Sequence, residues 1–396
     1  MGKQMTSKVT WVGKVDWELK SFHGEEYSTY KGSSYNSYLI RGEKTALIDT
    51  VWKPFDKEFV ACLKQEINLS DIDYIVINHG EVDHSGALPE LMREIPEKPI
   101  YCTQNAIKSL KGHYHEDWNF VPVKTGSSLS LGSMELKFIE APMLHWPDSM
   151  FTYLSGENIL FSNDAFGQHY ATESLYNSKV DAAELYNEAI KYYANILTPF
   201  SPLVIKKIQE LLSLSLPVDM ICPSHGVIWK ENPTQIVEQY MKWAAGYQEN
   251  QFTILYDSMW NATRKMAEAI GEGIHAADQS AQIKIMHAAK EDKNEIITQV
   301  FRSKAILLGS STINNGFLYS LGGLLEMMRG LKFKNKHAAA FGSYGWSGEA
   351  VQLLNKGLAD AGFKLAGEGL KMQWVPDEKA LAQCYAYGQE LAVQMK

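Results

Sequence analysis

Cysteine is scarce in this 396-residue chain: Cys62, Cys102, Cys222 and Cys384 stand far apart, with no C-x-x-C pair among them. That spacing excludes a disulfide framework and a cluster held by cysteine thiolates, and it suits reduced thiols in a cytoplasm. No apolar run approaches the ~20 residues that would span a bilayer. The opening MGKQMTSKVTW lacks the apolar core of a secretion signal. It matches the M-G-x-x-x-T lipidation pattern, but so short a match does not outweigh a plain soluble N-terminus. A net charge of −8 offers no basic face for phosphodiester backbones, so nucleic acid is excluded. With 45% hydrophobic and 21% charged residues, the chain has the make-up of a soluble globular protein, and its length predicts two domains.

The two halves have different rhythms. Up to about residue 250 the apolar runs are short and rich in β-formers: SYLIRG, TALIDTV, IDYIVIN, PIYCT, LKFIEAP, MFTYL, NILFS and DMICPSH. Helical stretches such as FDKEFVACLKQEI and AAELYNEAIKYYANIL intervene, which predicts a layered α/β sandwich over residues 1–250. From residue 251 to 396 the pattern is regular. FTILYD, IKIMHA, AILLGS, HAAAFGS and FKLAGEG alternate with amphipathic segments, as in a doubly wound parallel sheet. The join near WAAGYQENQ is short and polar.

Residues 79–86 read HGEVDHSG and crowd His79, Glu81, Asp83 and His84 onto one loop after the strand IDYIVIN. His145 follows LKFIEAPML, Asp164 follows ILFSN, and His225 follows MICPS. Each candidate ligand lies just past the carboxyl end of an apolar strand, where ligands converge on α/β sheets. Singly, each has a plainer explanation, such as a hydrogen-bonded loop histidine or an aspartate capping a helix. Jointly, they supply donors for two metal ions. His23, His113, His115, His169, His275, His287 and His337 have no comparable setting.

The C-terminal half lacks G-x-G-x-x-G after its first strand, which excludes a dinucleotide held in the Rossmann manner. In its place stands SMWNAT, comprising Ser258, Met259, Trp260, Asn261, Ala262 and Thr263. Hydroxyls and a helix N-terminus suit a phosphate monoester. Two later loops lie at the same sheet edge. One runs through Ser310, Ser311, Thr312, Ile313, Asn314 and Asn315, the other through Ser343, Tyr344, Gly345, Trp346, Ser347 and Gly348. Their aromatic residues can flank a planar ring.

The series HGEVDH, MLHWPDS, SNDAFG and PSHG resembles the metallo-β-lactamase superfamily, with Glu81 where hydrolases of that superfamily carry a second histidine. Added carboxylate donors favour iron in a redox role over zinc. This variant, followed by an FMN-type domain, resembles the flavodiiron proteins (A-type flavoproteins), over nearly the whole chain. The resemblance implies a metallo-β-lactamase-like αββα sandwich followed by a flavodoxin-like domain with FMN at the three loops. It implies one iron on His79, Glu81 and His145, and a second on Asp83 and His225, with Asp164 bridging. His84 occupies a position that ligates in some members and swings away in others. His23 and Tyr193 match positions near the metals. The implied activity is reduction of O₂ to water, of NO to N₂O, or both, with rubredoxin as donor. The implied assembly is a head-to-tail homodimer, with a dimer of dimers left open, in the cytoplasm and away from membranes. Two other readings stand beside it: a metal hydrolase with a flavodoxin-like appendage, and an electron carrier with a structural metal.

Overall fold

The computed structural model describes residues 2–395. It divides into two compact units. One takes the residues up to Tyr193 together with Phe200–Met241; the other takes Ala194–Pro199 and the residues from Lys242 onward.

The first unit contains two sheets. A seven-stranded sheet runs in the order Lys3–Gln4, Val9–Trp11, Tyr38–Arg41, Thr45–Ile48, Tyr74–Val76, Ile100–Thr103 and Phe120–Val123. A five-stranded sheet follows in chain order: Ser128–Ser130, Glu135–Glu140, Met150–Ser155, Ile159–Asn163 and Met220–Pro223. Side chains alternate across a pleat, and that alternation decides which layer each residue serves. Tyr38, Ile40, Ala46 and Ile48 share a core with Leu136, Phe138, Leu154 and Phe161 of the other sheet. The interleaved Leu39 and Leu47 instead join Phe59, Leu63, Leu91 and Leu110 from the helices Asp56–Glu66, Leu88–Glu94 and Gln104–Tyr114. The far face of the second sheet is covered as well. Phe151 packs on Phe166, with ring centres 6.5 Å apart, and Phe166 packs on Tyr240 of the helix Thr234–Ala244 at 4.7 Å. The layers are therefore helix, sheet, sheet, helix.

The second unit is one parallel sheet. Its order is Gln282–His287, Glu249–Tyr256, Ser303–Ile313, His337–Tyr344 and Lys364–Leu365, with Leu370–Gln373 also paired to His337–Tyr344. In chain order that is 2-1-3-4-5, the flavodoxin-like winding. One face carries Phe252, Ile254, Leu307 and Phe341, packed with Met266, Ile270, Cys384 and Leu391 of the helices Ala262–Ala277 and Glu378–Gln394. These two helices touch backbone to backbone: a Cβ on Gly388 would lie 2.1 Å from Ile270 O. On the other face Thr253 Oγ1 reaches Ser303 Oγ at 2.7 Å, beside the helix Lys293–Arg302. The buried Lys336 ends there too. Its ammonium donates to Tyr247 O, Phe301 O and Ser303 O at 3.0, 2.6 and 2.7 Å, so all three protons have acceptors.

The fifth strand departs from the expected FKLAGEG. Pairing breaks after Leu365 and resumes at Leu370, because Gly367 (φ 130°) and Gly369 (φ 88°) turn the chain through conformations closed to L side chains. The strand therefore ends at Gln373, several residues later than its sequence pattern suggests, and sends one more loop to the carboxyl edge of the sheet.

Candidate metal centre and flavin cleft

Three strand ends and two loops build the first site. Tyr74–Val76 leads into His79, Ile159–Asn163 into Asp164, and Met220–Pro223 into His225. Glu81 stands at the N-cap of the short helix Val82–Ser85, which carries Asp83 and His84. Its carboxylate makes no cap hydrogen bond and turns to the imidazoles instead. His145 comes from the loop after Glu135–Glu140.

The donors sort into two groups around Asp164. Its Oδ2 lies 3.7 Å from His79 Nε2 and 3.4 Å from His145 Nε2, while Glu81 Oε2 lies 3.1 and 3.4 Å from the same two nitrogens. Its Oδ1 lies 3.1 Å from His84 Nε2 and 3.4 Å from His225 Nε2, with Asp83 Oδ2 at 3.3 and 3.0 Å from them. One carboxylate thus offers one oxygen to each group. His84 turns its Nε2 inward, into the second group. Apart from His145, which is partly exposed, these candidate side chains are buried.

Burial and charge oppose one another here. Burial alone would raise the Glu81 and Asp164 carboxyls; the facing imidazoles more than reverse it, and both are held below the usual carboxylate range. Burial likewise works to lower His145 and His225. Asp164 with Glu81 carries the first up to about 9, and Asp164 with Asp83 carries the second up to about 10. Asp83 Oδ1 has no hydrogen-bond partner despite full burial, and Asp164 Oδ2 and His84 Nε2 face only other members of the cluster. Orphaned buried acceptors beside ionised carboxylates fit divalent cations, and two donor groups sharing one carboxylate fit a pair of them.

A second layer fixes the donors. His79 Nδ1 lies 2.9 Å from Asp148 Oδ1, and Asp148 Oδ2 accepts from Gly80 N at 3.0 Å. His225 Nδ1 donates to Ser34 O at 2.7 Å, which turns Nε2 toward the centre. Asp49 accepts from the backbone and side-chain nitrogens of Asn78 at 2.7 and 3.0 Å and so braces the residue before His79. His23 Nε2 lies 2.8 Å from Glu81 Oε1. Tyr193 is one residue off the mark. Its hydroxyl pairs with Ser201 Oγ at 2.9 Å and its ring packs on Tyr240, whereas Tyr192 donates to Asp164 Oδ1 at 3.2 Å. A step of one residue turns a helix by about 100°, so neighbours on Ala182–Tyr192 face different layers. Asp49, Asp148 and Tyr192 are absent from the sequence-derived site; for Asp148 the available signal was its place in the quoted HWPDS motif.

The second unit holds a cleft of about 580 Å³, within the range of small-molecule sites. Its lining includes Met259, Trp260 and Ala262, residues 311–315, residues 343–347, and two residues that the sequence reading missed, Trp374 and Val375. None is lysine or arginine. Thr312 and Ile313 pair with Phe317 and Gly316, closing a two-residue turn at Asn314 (φ 49°) and Asn315 (φ 55°). Thr263 and Ser310 stand beneath the lining. Thr263 Oγ1 meets Ser311 Oγ at 3.1 Å and Ser343 Oγ at 3.0 Å, tying three loops together. Ser310 Oγ donates to Ser311 O and accepts from Leu318 N. Ser258, Asn261 and Gly348 also stand outside the lining. Asn261 takes φ 62° before the helix Ala262–Ala277 and caps none of its N–H groups, and Ser258 Oγ is buried without a partner. Free N–H groups and an unpartnered hydroxyl fit a phosphate, and the aromatic rim fits a flat ring: together, FMN.

Comparisons with known proteins match both units. A family model described as ODP family beta lactamase matches residues 34–226, and one described as flavodoxin matches residues 254–388. An anaerobic nitric oxide reductase flavorubredoxin of Escherichia coli O1:K1 is 58% identical over 390 residues, 98% of this chain and 81% of that protein. The rubredoxin oxygen:oxidoreductase of Desulfovibrio gigas superposes with a TM-score of 0.96 at 34% identity, covering 100% of this chain and 98% of the other. The flavodiiron protein of Giardia intestinalis gives 0.95 at 33%, covering 100% and 97%. A metallo-β-lactamase-like unit with a carboxylate-rich centre, joined to a flavodoxin-like unit, defines a class of oxidoreductase. The chain belongs to the flavodiiron protein family.

Proposed function

We propose that the chain reduces NO to N₂O and O₂ to water at a non-haem diiron centre recharged by FMN. The observation that carries this is the pair of donor groups sharing Asp164, with Glu81 completing one of them. His79, Glu81 and His145 would hold one iron, Asp83, His225 and His84 the other, and Asp164 both. Two ferrous ions and a fully reduced flavin supply, when bound, the four electrons that O₂ needs to become two waters, or the two that a pair of NO molecules needs to become N₂O and water.

The protein's own part is positioning. Asp148 and Ser34 O orient His79 and His225, so each presents Nε2 to the centre. His23 and Tyr192 stand against Glu81 Oε1 and Asp164 Oδ1 and orient those carboxylates. Phe22 lies against His23, His169 and His225 and keeps that side apolar. A hydrolase would need neither Glu81 nor a flavin cleft, and an electron carrier would not need two open donor groups.

Electrons reach FMN from a rubredoxin-type centre outside these 396 residues, since the four dispersed cysteines cannot assemble one. The working unit is a head-to-tail homodimer in which the flavin cleft of one chain serves the irons of the other. Trp260 and Trp346, 85% and 86% exposed at the cleft, suit such an apolar interface. No helix among the described residues is long and apolar enough to cross a membrane, which suits a cytoplasmic enzyme. Parallel consumption assays with NO and O₂, fed by reduced rubredoxin, test the activity. Turnover of both gases supports it, and an iron-loaded, FMN-loaded protein that leaves NO or O₂ untouched refutes it.

A further inference from the structure

We infer that Trp374 forms a fourth wall of the flavin cleft, contacting the flavin ring itself, and that Gly345 is small so that this wall can stand. The inference rests on the reading of the cleft as an FMN site.

Its basis is the late end of the fifth strand. Leu370–Gln373 pairs in parallel with His337–Tyr344, up to the pair Tyr344 and Gln373. The next residue, Trp374, therefore emerges at the same edge as the three loops named above, and it lines the cleft. Two hydrogen bonds lock it to the loop that follows Tyr344. Trp374 N donates to Tyr344 O at 2.7 Å, and Gln373 Nε2 donates to Gly345 O at 2.8 Å. The indole then lies across Gly345: a Cβ there would meet the six-membered ring at 3.0 Å. Its ring centre is 6.3 Å from that of Trp346, at 54°.

Trp374 holds this place at a cost. Its φ of 58° is left-handed, a conformation that glycine and asparagine adopt readily and a bulky side chain does not. Nor does burial compensate, because the residue is 61% exposed. A large aromatic residue held in an unfavourable backbone state, half in solvent and facing a cleft, has its natural partner in a planar ligand. The indole covers part of a bound ring, excludes water from it and backs Trp346.

The test uses the full chain stripped of flavin and titrated with FMN by calorimetry, alongside thermal unfolding of the flavin-free protein. Trp374→Gly should weaken FMN about tenfold, the loss of one stacked aromatic contact, while raising the thermal midpoint, because glycine relieves the left-handed backbone. Trp374→Phe should keep most of the affinity. Gly345→Ala should weaken FMN in the native background by displacing the indole, and have no further effect beside Trp374→Gly. Wild-type affinity in Trp374→Gly, or additive losses in the double variant, would overturn the inference while leaving the FMN site intact. Failure of the wild-type chain to bind FMN would overturn the flavin reading itself.

Discussion

Glu81 is the residue on which the chemistry turns. It gives Oε2 to His79 and His145 and Oε1 to His23, so its carboxylate is held from both sides. Replacing it with imidazole makes the donor set softer and richer in nitrogen. Glu81→His should therefore lose iron and gain zinc, with at least about a tenfold loss of gas reduction; elemental analysis with a turnover assay reads both, and unchanged iron with full turnover would remove Glu81 from the ligands. Tyr192 and Tyr193 make a second comparison at this scale. Tyr192→Phe should slow turnover several-fold with iron content intact, because Asp164 loses a donor. Tyr193→Phe should leave turnover unchanged, because its hydroxyl serves Ser201; the reverse order would contradict the geometry. The convergence of the seven candidate ligands was legible because each lies past a strand end or in one dense cluster. The choice between two adjacent tyrosines was not, because facing depends on where helical winding stops. Here the α-helix ends at Tyr192 and a π-turn, Tyr193–Leu197, follows.

Among elements, regular alternation made the five strands of the second unit readable, and glycine hid the end of the last one. Gly367 and Gly369 look like a strand terminus, yet pairing resumes beyond them, and Trp374 was overlooked with it. Short edge strands such as Lys3–Gln4 and Ser128–Ser130 carry too little pattern to be seen. Lys336 was equally invisible, since nothing local marks a lysine as buried. Its three carbonyl acceptors come from residues 33, 35 and 89 positions away. Lys336→Met should destabilise the flavodoxin-like unit by about 3 kcal/mol, because it leaves those buried carbonyls without donors. Urea unfolding followed by flavin release would show it; an unchanged midpoint would mean that water serves them equally well.

For the molecule as a whole, the claim is that flavin and irons cooperate between two chains. A variant unable to hold metal, His79→Ala with Asp83→Ala, and a variant unable to hold FMN, with residues 258–263 disrupted, should each be inactive. Mixed and allowed to exchange subunits, they should recover about a quarter of native turnover, as expected when half of the dimers are mixed and each restores one of two sites. No recovery despite proven exchange would exclude the head-to-tail arrangement.

A diiron centre recharged by FMN that reduces NO can be tested on chain loaded anaerobically with ferrous iron and FMN, reduced, and given NO. Each chain should hold two irons and one flavin, and one N₂O should be released for every two NO consumed. A chain that retains zinc in place of iron, or loaded protein that leaves NO untouched, would contradict it.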